Sequence, residues 1–367
     1  MVIQKPLVTV LMSVYNGEKY LRSCVESILN QTYKDFEFFI VNDQSTDDSV
    51  KIIESFHDRR IVIHHNEKNI GQTKSLNVGL RLSKGRYVAR MDADDMAFPL
   101  WLEKTLSFME INPENAAVGT AAVVMDGHGE MRKLLQTPNA FQQIVFNIFF
   151  GSAMNHVGAL LNKKIIVEHG GYNEEFKIAQ DFELWSSLIR GKKHIANISE
   201  ALVAVRVHKS SKGFVEEQKR GLDEVSETIC RNVDSMTNMK ISYEDAMRLR
   251  MFYRFPEQLT NEDFEYTNNL YVKIFVNLRA EFSIEPLLIR NMLRKKLLIP
   301  YLKLAKSELI NKRFMSAVKV ITNYYETYRF RPASFVVFIM TFLGETIRNN
   351  NVSHYDGRWF ENKIKEI

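Results

Sequence analysis

The feature that most constrains this chain is a regular alternation of apolar segments with helical patterns along residues 7–91. The segments between the apolar runs repeat apolar residues at helical spacing, as Leu21, Val25 and Ile28 do. Continuous apolar strands that alternate with helices predict an α/β fold, with a mostly parallel sheet and helices on both faces. The predicted strands are LVTVLMSV (7–14), FEFFIV (36–41), RIVIHH (60–65) and RYVARM (86–91).

Polar loops follow three of these strands, at residues 13–16, 42–46 and 92–95. Ligands of such sheets bind beyond the carboxyl ends of the strands, so the three loops predict one binding rim. Tyr15 would lie against a nucleobase there or simply pack at the sheet edge, and Asp43 would accept a hydrogen bond from a uracil imide or a ribose hydroxyl. The sequence contains neither a P-loop nor a GxGxxG motif, so the diphosphate of a bound nucleotide would need a metal ion.

Three carboxylates crowd the third loop, where Asp92, Asp94 and Asp95 directly follow a predicted strand. Like charges this close repel, so the cluster is stable only if it is solvated, caps a helix or holds a cation. One interpretation is a divalent metal site. The other is that Asp94 or Asp95 caps a helix beginning at Pro99, just as Ser45 or Thr46 would cap the helix in STDDSVKIIESF.

Composition narrows the class of protein. A hydrophobic content of 45% in 367 residues is ample for a large core, and the widely separated Cys24 and Cys230 predict a reducing compartment. The late apolar run FVVFIMTFLG (335–344) is too short to span a bilayer, which takes about 20 residues, so we expect a cytoplasmic protein. A net charge of +5 without an RNA-binding motif argues against a nucleic-acid partner.

Four segments in this order resemble the family 2 glycosyltransferases, which are nucleotide-sugar enzymes with the GT-A fold. The resemblance covers roughly residues 5–210 and is highly specific as a series. The segments are PLVTVLMSVYNGEKYLRSCVESILNQTYKDFEFFIVNDQSTDDS, NIGQTKSLNVGLRLSKGRYVARMDADD, GGYNEEFKIAQDFELW and VRVHKSS.

The resemblance implies a role for each matching position. Asp181 corresponds to the general base, while Asp94, Asp95 and His208 are candidate ligands of Mn²⁺ or Mg²⁺. Asn42 stands where the family usually has an aspartate, and Gln180 stands where a glutamate often precedes the base. The candidate donor-binding residues are Ser13, Tyr15, Asp43, Lys74, Asp92 and Gly171.

The residues alone leave simpler interpretations open for the later positions. Asp181 is also a favourable first-turn acid of a helix in DFELWSSLIRG, and a histidine near a strand end, such as His208, is more often structural than metal-bound. A displacement at an anomeric carbon nevertheless needs a carboxylate to take the acceptor's proton and a Lewis acid for the departing diphosphate.

The strand alternation stops near residue 212, which predicts a GT-A domain over 1–212 and a helical C-terminal region over 213–367. Within that region, residues 290–313 carry many lysines and arginines against one acid, Glu308. This stretch is either the solvated face of packed helices or a peripheral contact with anionic lipid, and the region is also compatible with homo-oligomer contacts.

We therefore expect a metal-dependent hexosyl- or N-acetylhexosaminyltransferase that moves one sugar, with inversion, from a UDP-sugar to a growing surface glycan or lipid-linked saccharide. No Q-x-x-R-W sequence occurs, so single linkages rather than processive synthesis are expected. Two alternatives stay open at this level: a sugar nucleotidyltransferase, which would be expected to carry a glycine- and basic-rich triphosphate loop near its N-terminus, and a non-catalytic nucleotide-sugar-binding protein.

Overall fold

The computed structural model describes residues 6–208 and 217–311, together with residues 316, 319, 320 and 324. The chain forms two compact units, Met1–Tyr243 and Glu244–Ile367. The boundary predicted near residue 212 and the apolar run at 335–344 both lie outside the described residues.

One mixed sheet organises the first unit. Its strands follow the order β3-β2-β1-β4-β8-β6-β9-β5, with β7 pairing along β6. The strands are β1 (Val8–Val14), β2 (Phe36–Asn42), β3 (Ile61–His65), β4 (Tyr87–Arg90), β5 (Met96–Ala97), β6 (Asn115–Asp126), β7 (Met131–Leu135), β8 (Leu160–Asn162) and β9 (His194–Val207).

The parallel arrangement predicted for the first four strands is confirmed, because β1 pairs in parallel with both β2 and β4, and β2 pairs in parallel with β3. Beyond β4 the sheet becomes mixed. Strand β8 is antiparallel to both of its neighbours, whereas β6 and β9 run parallel over a long ladder. The apolar runs alone could not show this change, since a strand buried on both faces looks the same in either direction.

Eight α-helices begin within the described part of the first unit, before residue 243, and cover the sheet. They are α1 (Glu18–Leu29), α2 (Ser49–Glu54), α3 (Gln72–Leu82), α4 (Trp101–Ile111), α5 (Phe141–Asn147), α6 (Lys163–Glu168), α7 (Gln180–Arg190) and α8 (Glu217–Thr237). The apolar face of α1 (Leu21, Cys24, Val25 and Ile28) packs with alternate residues of the central strands, such as Val10 and Met12, in one core. Because this core fixes the strands, it also fixes the loops at their carboxyl ends.

Two helix starts differ from the prediction. Helix α2 begins at Ser49 after Asp48, so the cap predicted at Ser45 or Thr46 is wrong. Helix α4 begins at Trp101 after Leu100, so neither Asp94 nor Asp95 caps it. The polar side chains bond instead to segments distant in sequence, Ser45 and Thr46 to the Asn16 loop and Asp95 to strand β9, which local sequence patterns do not reveal.

The second unit is helical in its described residues. Its elements are α9 (Tyr243–Arg254), a 3₁₀ turn (Pro256–Gln258), α10 (Asn261–Phe282) and α11 (Pro286–Ile310). An aromatic cluster joins them, with ring centroids of Phe252 and Phe264 4.5 Å apart and those of Phe264 and Tyr301 4.8 Å apart. None of the helices described is both long and apolar enough to cross a membrane.

Candidate active site

The pairing of β5 with β9 brings the aspartate loop to the end of β9. Met96 lies opposite Ala204 in this antiparallel pair, so the residues just before β5 face those at the end of β9. As a result, Oδ2 of Asp94 lies 3.0 Å from Nε2 of His208, although the two residues are 114 positions apart. The structure thus joins two of the three predicted metal ligands.

The third predicted ligand, Asp95, is held differently. Its side chain is buried, and its Oδ1 accepts a hydrogen bond of 2.7 Å from the backbone N–H of Arg206. Burial raises the pKa of both Asp94 and Asp95, and Asp92 raises each further by its like charge. In the part of the chain that the structure describes, no three His, Cys, Asp or Glu side chains converge on one metal position. The structure therefore brings Asp94 and His208 together and ties Asp95 to β9, while the metal-binding roles of all three residues remain predictions.

Arg206 fastens this loop to β9. Its Nε donates to the backbone oxygen of Asp94 at 2.9 Å, and its guanidinium lies over the ring of Tyr20, 4.4 Å from the centroid. The same tyrosine ring is 5.0 Å from that of His208. Strand β9 and helix α1 together restrict the position of the Asp94–His208 pair.

Asp92 faces a different set of groups. Its Oδ1 accepts hydrogen bonds from the guanidinium of Arg90 and, at 2.8 Å, from Nε2 of Gln72 at the start of α3. Arg90 has no exposed surface, so its charge needs the Asp92 carboxylate as a partner. This pair links the aspartate loop to the centre of the sheet.

Asp181 occupies the first turn of α7, as predicted, with its side chain partly buried. Its pKa is raised to about 6, mainly by desolvation and to a smaller extent by the negative charge of Asp92. The backbone N–H groups at the helix start and the positive charge of Arg90 act in the opposite direction. A carboxylate with a pKa of about 6 is ionised at neutral pH and binds a proton more strongly than an exposed one, as a general base requires.

A second polar pair lies in the same neighbourhood. Nε2 of His156 is 2.8 Å from the hydroxyl of Tyr172, and both side chains are buried. The pKa of His156 is lowered to about 3, mainly by burial and also by the charge of Arg90. His156 is therefore neutral at physiological pH and contributes a hydrogen-bonding group rather than a charge.

The outer rim is formed by the loops after β1 and β2. Oδ1 of Asn16 accepts a hydrogen bond of 2.8 Å from the backbone N–H of Thr46, and the backbone N–H of Asn16 donates to Oγ of Ser45 at 3.1 Å. The hydroxyl of Thr46 also donates to Oδ1 of Asn16, at 3.3 Å, so both hydroxyls that the sequence assigned to a helix cap contact the β1 loop instead. Tyr15 is 52% exposed beside them, and the partly buried Ser13 is the last residue but one of β1. An exposed aromatic ring at this position is available to stack on a base.

Asp43 is buried rather than open at the rim. Its Oδ1 accepts hydrogen bonds from Nδ2 of Asn66 at 2.8 Å and from the backbone N–H of Ile70 at 2.9 Å. Its Oδ2 accepts one of 2.8 Å from the backbone N–H of Gly71, which precedes α3. These contacts show that Asp43 organises the 66–71 segment. Contact with a nucleoside remains a prediction.

The remaining two candidates are a residue of α3 and a glycine packed against that helix. Lys74 is exposed in its first turn, two residues after Gln72. Gly171 has φ +73°, and a Cβ there would lie 2.8 Å from Oδ1 of Asn77. Loop packing therefore explains the glycine by itself, and its approach to a donor sugar remains a prediction.

Sequence reasoning missed three side chains that shape the site: Arg90, Gln72 and Arg206. The role of Arg90 could have been inferred from the sequence, because a charged residue inside an apolar strand must find a buried partner, and Asp92 follows two residues later. The sequence gives no comparable indication for Gln72 or Arg206. Their contacts depend on the approach of α3 and on the pairing of β9.

Asp94 and His208 are the two side chains that could hold a divalent cation here. The Asp94 side chain is 35% exposed and the His208 side chain 14%, so phosphate oxygens and water could complete the coordination. A carboxylate suits both predicted ions, whereas an imidazole nitrogen is a ligand typical of transition metals such as Mn²⁺. Binding of Mn²⁺ or Mg²⁺ remains a prediction.

Comparisons with known proteins agree with this geometry. The family model described as glycosyl transferase family 2 matches residues 9–171. An uncharacterised glycosyltransferase of Haemophilus influenzae is 34% identical over 214 residues, a match that covers 55% of this chain and 66% of the relative. The amylovoran biosynthesis glycosyltransferase AmsE of Erwinia amylovora is 33% identical, over 54% of this chain and 75% of the relative. The O-antigen biosynthesis glycosyltransferase WbnJ of Escherichia coli is also 33% identical, over 56% and 81% respectively.

Solved structures share the fold. The crystal structure of S. aureus TarS 1–349 in complex with UDP-GlcNAc has a TM-score of 0.53 at 17% identity, covering 89% of this chain and 95% of that one. The mannosyltransferase PcManGT from Pyrobaculum calidifontis, in complex with GDP-Man and Mn²⁺, has a TM-score of 0.50 at 12% identity, covering 96% and 89%. These likenesses confirm the predicted GT-A architecture.

Proposed function

Because the chain belongs to glycosyl transferase family 2, we propose that it transfers a single hexosyl or N-acetylhexosaminyl group from a UDP-sugar to a growing surface glycan or a lipid-linked saccharide. The family decides the enzyme class in favour of a glycosyltransferase over a nucleotidyltransferase. The names of AmsE and WbnJ support a surface polysaccharide as the product, and the UDP-GlcNAc complex of TarS supports the donor class.

In the proposed mechanism Asp94 and His208 hold the divalent cation. A bound cation would act as a Lewis acid that stabilises the negative charge of the departing diphosphate. Asp181 accepts the proton of the acceptor hydroxyl as this oxygen attacks the anomeric carbon from the face opposite UDP. A single displacement of this kind inverts the anomeric configuration.

Residues of the chain itself connect these two roles. Arg90 bonds to Asp92 in the aspartate loop and also acts electrostatically on Asp181. Partial burial of Asp181 raises its basicity and leaves it ionised at pH 7. The exposed Tyr15 offers a stacking surface for the uracil ring.

The observation that carries the proposal is the 3.0 Å approach of His208 to Asp94, since it brings together two side chains that are able to ligate a divalent cation. The direct test is incubation of the protein with a panel of UDP-sugars and Mn²⁺, with and without EDTA. We expect slow hydrolysis of one donor that EDTA abolishes, and inversion in the glycosylated product by NMR. Metal-independent turnover, or a product that retains the donor configuration, would refute the corresponding part of the mechanism.

We further propose that the helical region predicted over 213–367 reaches an anionic membrane through residues 290–313, of which 290–311 are described. Helix α11 exposes Arg290, Lys295 and Lys306, together with the apolar side chains of Leu287 and Ile299. Cations beside exposed aliphatic groups are typical of interfacial helices. The test is co-sedimentation with vesicles of phosphatidylglycerol, and no preference over phosphatidylcholine vesicles would refute the proposal.

A further inference from the structure

Glu224, in helix α8, holds the chain just before the candidate base. Its Oε1 accepts a hydrogen bond of 3.0 Å from the backbone N–H of Lys177. Its Oε2 accepts two more, of 2.9 Å from the N–H of Ile178 and 2.8 Å from that of Ala179. The Glu224 side chain is buried, so one carboxylate binds three consecutive backbone donors away from solvent.

These three N–H groups lie just before helix α7, which begins at Gln180 after the N-cap residue Ala179. They therefore take no part in the hydrogen bonds within that helix. Buried backbone N–H groups need a partner, and a carboxylate forms stronger hydrogen bonds with them than a neutral group does. Glu224 supplies this acceptor from a separate helix.

A buried polar network fixes α8 along α7 and so fixes Glu224. Oε1 of Glu183 pairs with Arg190 at 2.6 Å and with Arg231 at 3.2 Å, while its Oε2 accepts a hydrogen bond of 2.8 Å from Thr228. Arg190 also donates to Oδ1 of Asn232 at 2.7 Å. Because α8 cannot slide along α7 without breaking this network, the Glu224 carboxylate has a defined position.

We propose that Glu224 is a positioning residue for Asp181, acting through the backbone of residues 177–179. Asp181 lies two residues after the last bonded N–H, so the direction of its carboxylate follows from the path of this segment. The inference rests on the proposed role of Asp181 as the base. It also makes α8, which begins after the family-model match ends at residue 171, part of the catalytic apparatus.

The test compares Glu224→Gln with the matched control Glu227→Gln. Glu227 lies on the same helix, is half exposed and bonds to Arg231, away from the 177–179 backbone. In Glu224→Gln one carboxylate oxygen becomes an NH₂ group, which cannot accept a hydrogen bond, so at least one backbone N–H loses its acceptor. We expect kcat to fall roughly 10- to 100-fold, the scale for a misplacement of about 1 Å, with the KM for the UDP-sugar changed by less than about 2-fold. Glu227→Gln should retain kcat.

A double-mutant cycle with Asp181→Asn separates positioning from a general loss of structure. If Glu224 acts through Asp181, Glu224→Gln will lower kcat in the wild-type background and leave it nearly unchanged in Asp181→Asn. Additive losses would refute the inference, and so would full activity of Glu224→Gln. Full activity of Asp181→Asn would instead refute the proposed base.

Protein folding is followed in parallel by circular dichroism. Should Glu224→Gln fail to fold, Glu224→Asp takes its place in the cycle, because it keeps the charge and withdraws the carboxylate by one methylene. The same non-additivity with Asp181→Asn is then expected, and additivity refutes the inference as before.

Discussion

The burial of Asp181 leads to a prediction about stability as well as activity. We expect Asp181→Asn to lower kcat by roughly 10²- to 10⁴-fold, the range for a positioned proton acceptor, and to stabilise the fold at neutral and alkaline pH. The amide keeps the shape of the side chain and cannot ionise, so the variant no longer places a charge in a poorly solvated position. Loss of activity with gain of stability is the expected pattern for a functional buried charge.

The size of the expected gain in stability follows from the pKa of Asp181. Burial moves the pKa of Asp181 from its usual 3.8 to about 6, a rise of about 2 units. Each unit corresponds to about 1.4 kcal/mol, so ionisation costs the folded state at most about 3 kcal/mol relative to the unfolded chain, and solvent at the partly exposed side chain lowers this cost. The native state binds the proton more tightly, and this cost therefore appears as the pH rises from about 4 to about 6 and is complete above that range.

The assay is urea unfolding followed by tryptophan fluorescence, since Trp101 and Trp185 are both buried in the first unit. We expect the unfolding free energies of wild type and Asp181→Asn to coincide at about pH 4 and to differ by up to about 3 kcal/mol at about pH 8, with the variant more stable. The contributions of all other titrating groups to the unfolding free energy are the same in both proteins, so they cancel in the difference between wild type and Asp181→Asn.

The exposed Asp234→Asn is the control for loss of one negative charge at the surface, and it should not reproduce the gain in stability of Asp181→Asn. A difference for Asp181→Asn that is constant from acid to alkaline pH would refute the assignment of a raised pKa. A variant less stable than wild type at alkaline pH would refute the burial argument itself.

Three further predictions concern the same rim. The kcat of the wild type should fall with an apparent pKa of about 6 as Asp181 becomes protonated, and a profile that stays flat well below that value would exclude Asp181 as the base. Asp94→Asn and His208→Gln should each lose most activity at limiting Mn²⁺ and regain part of it at saturating Mn²⁺, as measured by metal titration of turnover. Asp43→Ala should lower the unfolding free energy by about 2 kcal/mol or more, because three donors lose their acceptor, and should also weaken UDP binding by calorimetry. An unchanged urea midpoint would contradict the structural role of Asp43.

The sequence was most informative where one local pattern determines the structure. The apolar runs of β1 to β4 and the first-turn position of Asp181 were predicted because strand burial and helix periodicity are properties of neighbouring residues. The resemblance supplied His208, which spacing alone could not distinguish from a structural histidine.

Contacts between distant segments could not be predicted. Asp95 looked like a metal ligand because of its neighbours, yet its partner is the backbone of Arg206, which β9 brings to it. Asp43 looked like an open rim carboxylate, yet the 66–71 segment folds over it. In each case the deciding group lies more than 20 residues away, so only the folded topology reveals it.

The register of β9 determines where this chain would tolerate an added residue. From Val203 to Val207 the strand pairs with β6 without interruption, whereas Ser199 and Glu200 fall at a shift in that register. One residue inserted between 203 and 207 would reverse the side of the sheet that every later residue faces and would carry His208 about 3.4 Å along the strand. One inserted between Ser199 and Glu200 would enlarge an existing irregularity on an exposed segment. Insertion scanning should therefore find a permissive site and an inactivating one within a few residues of each other.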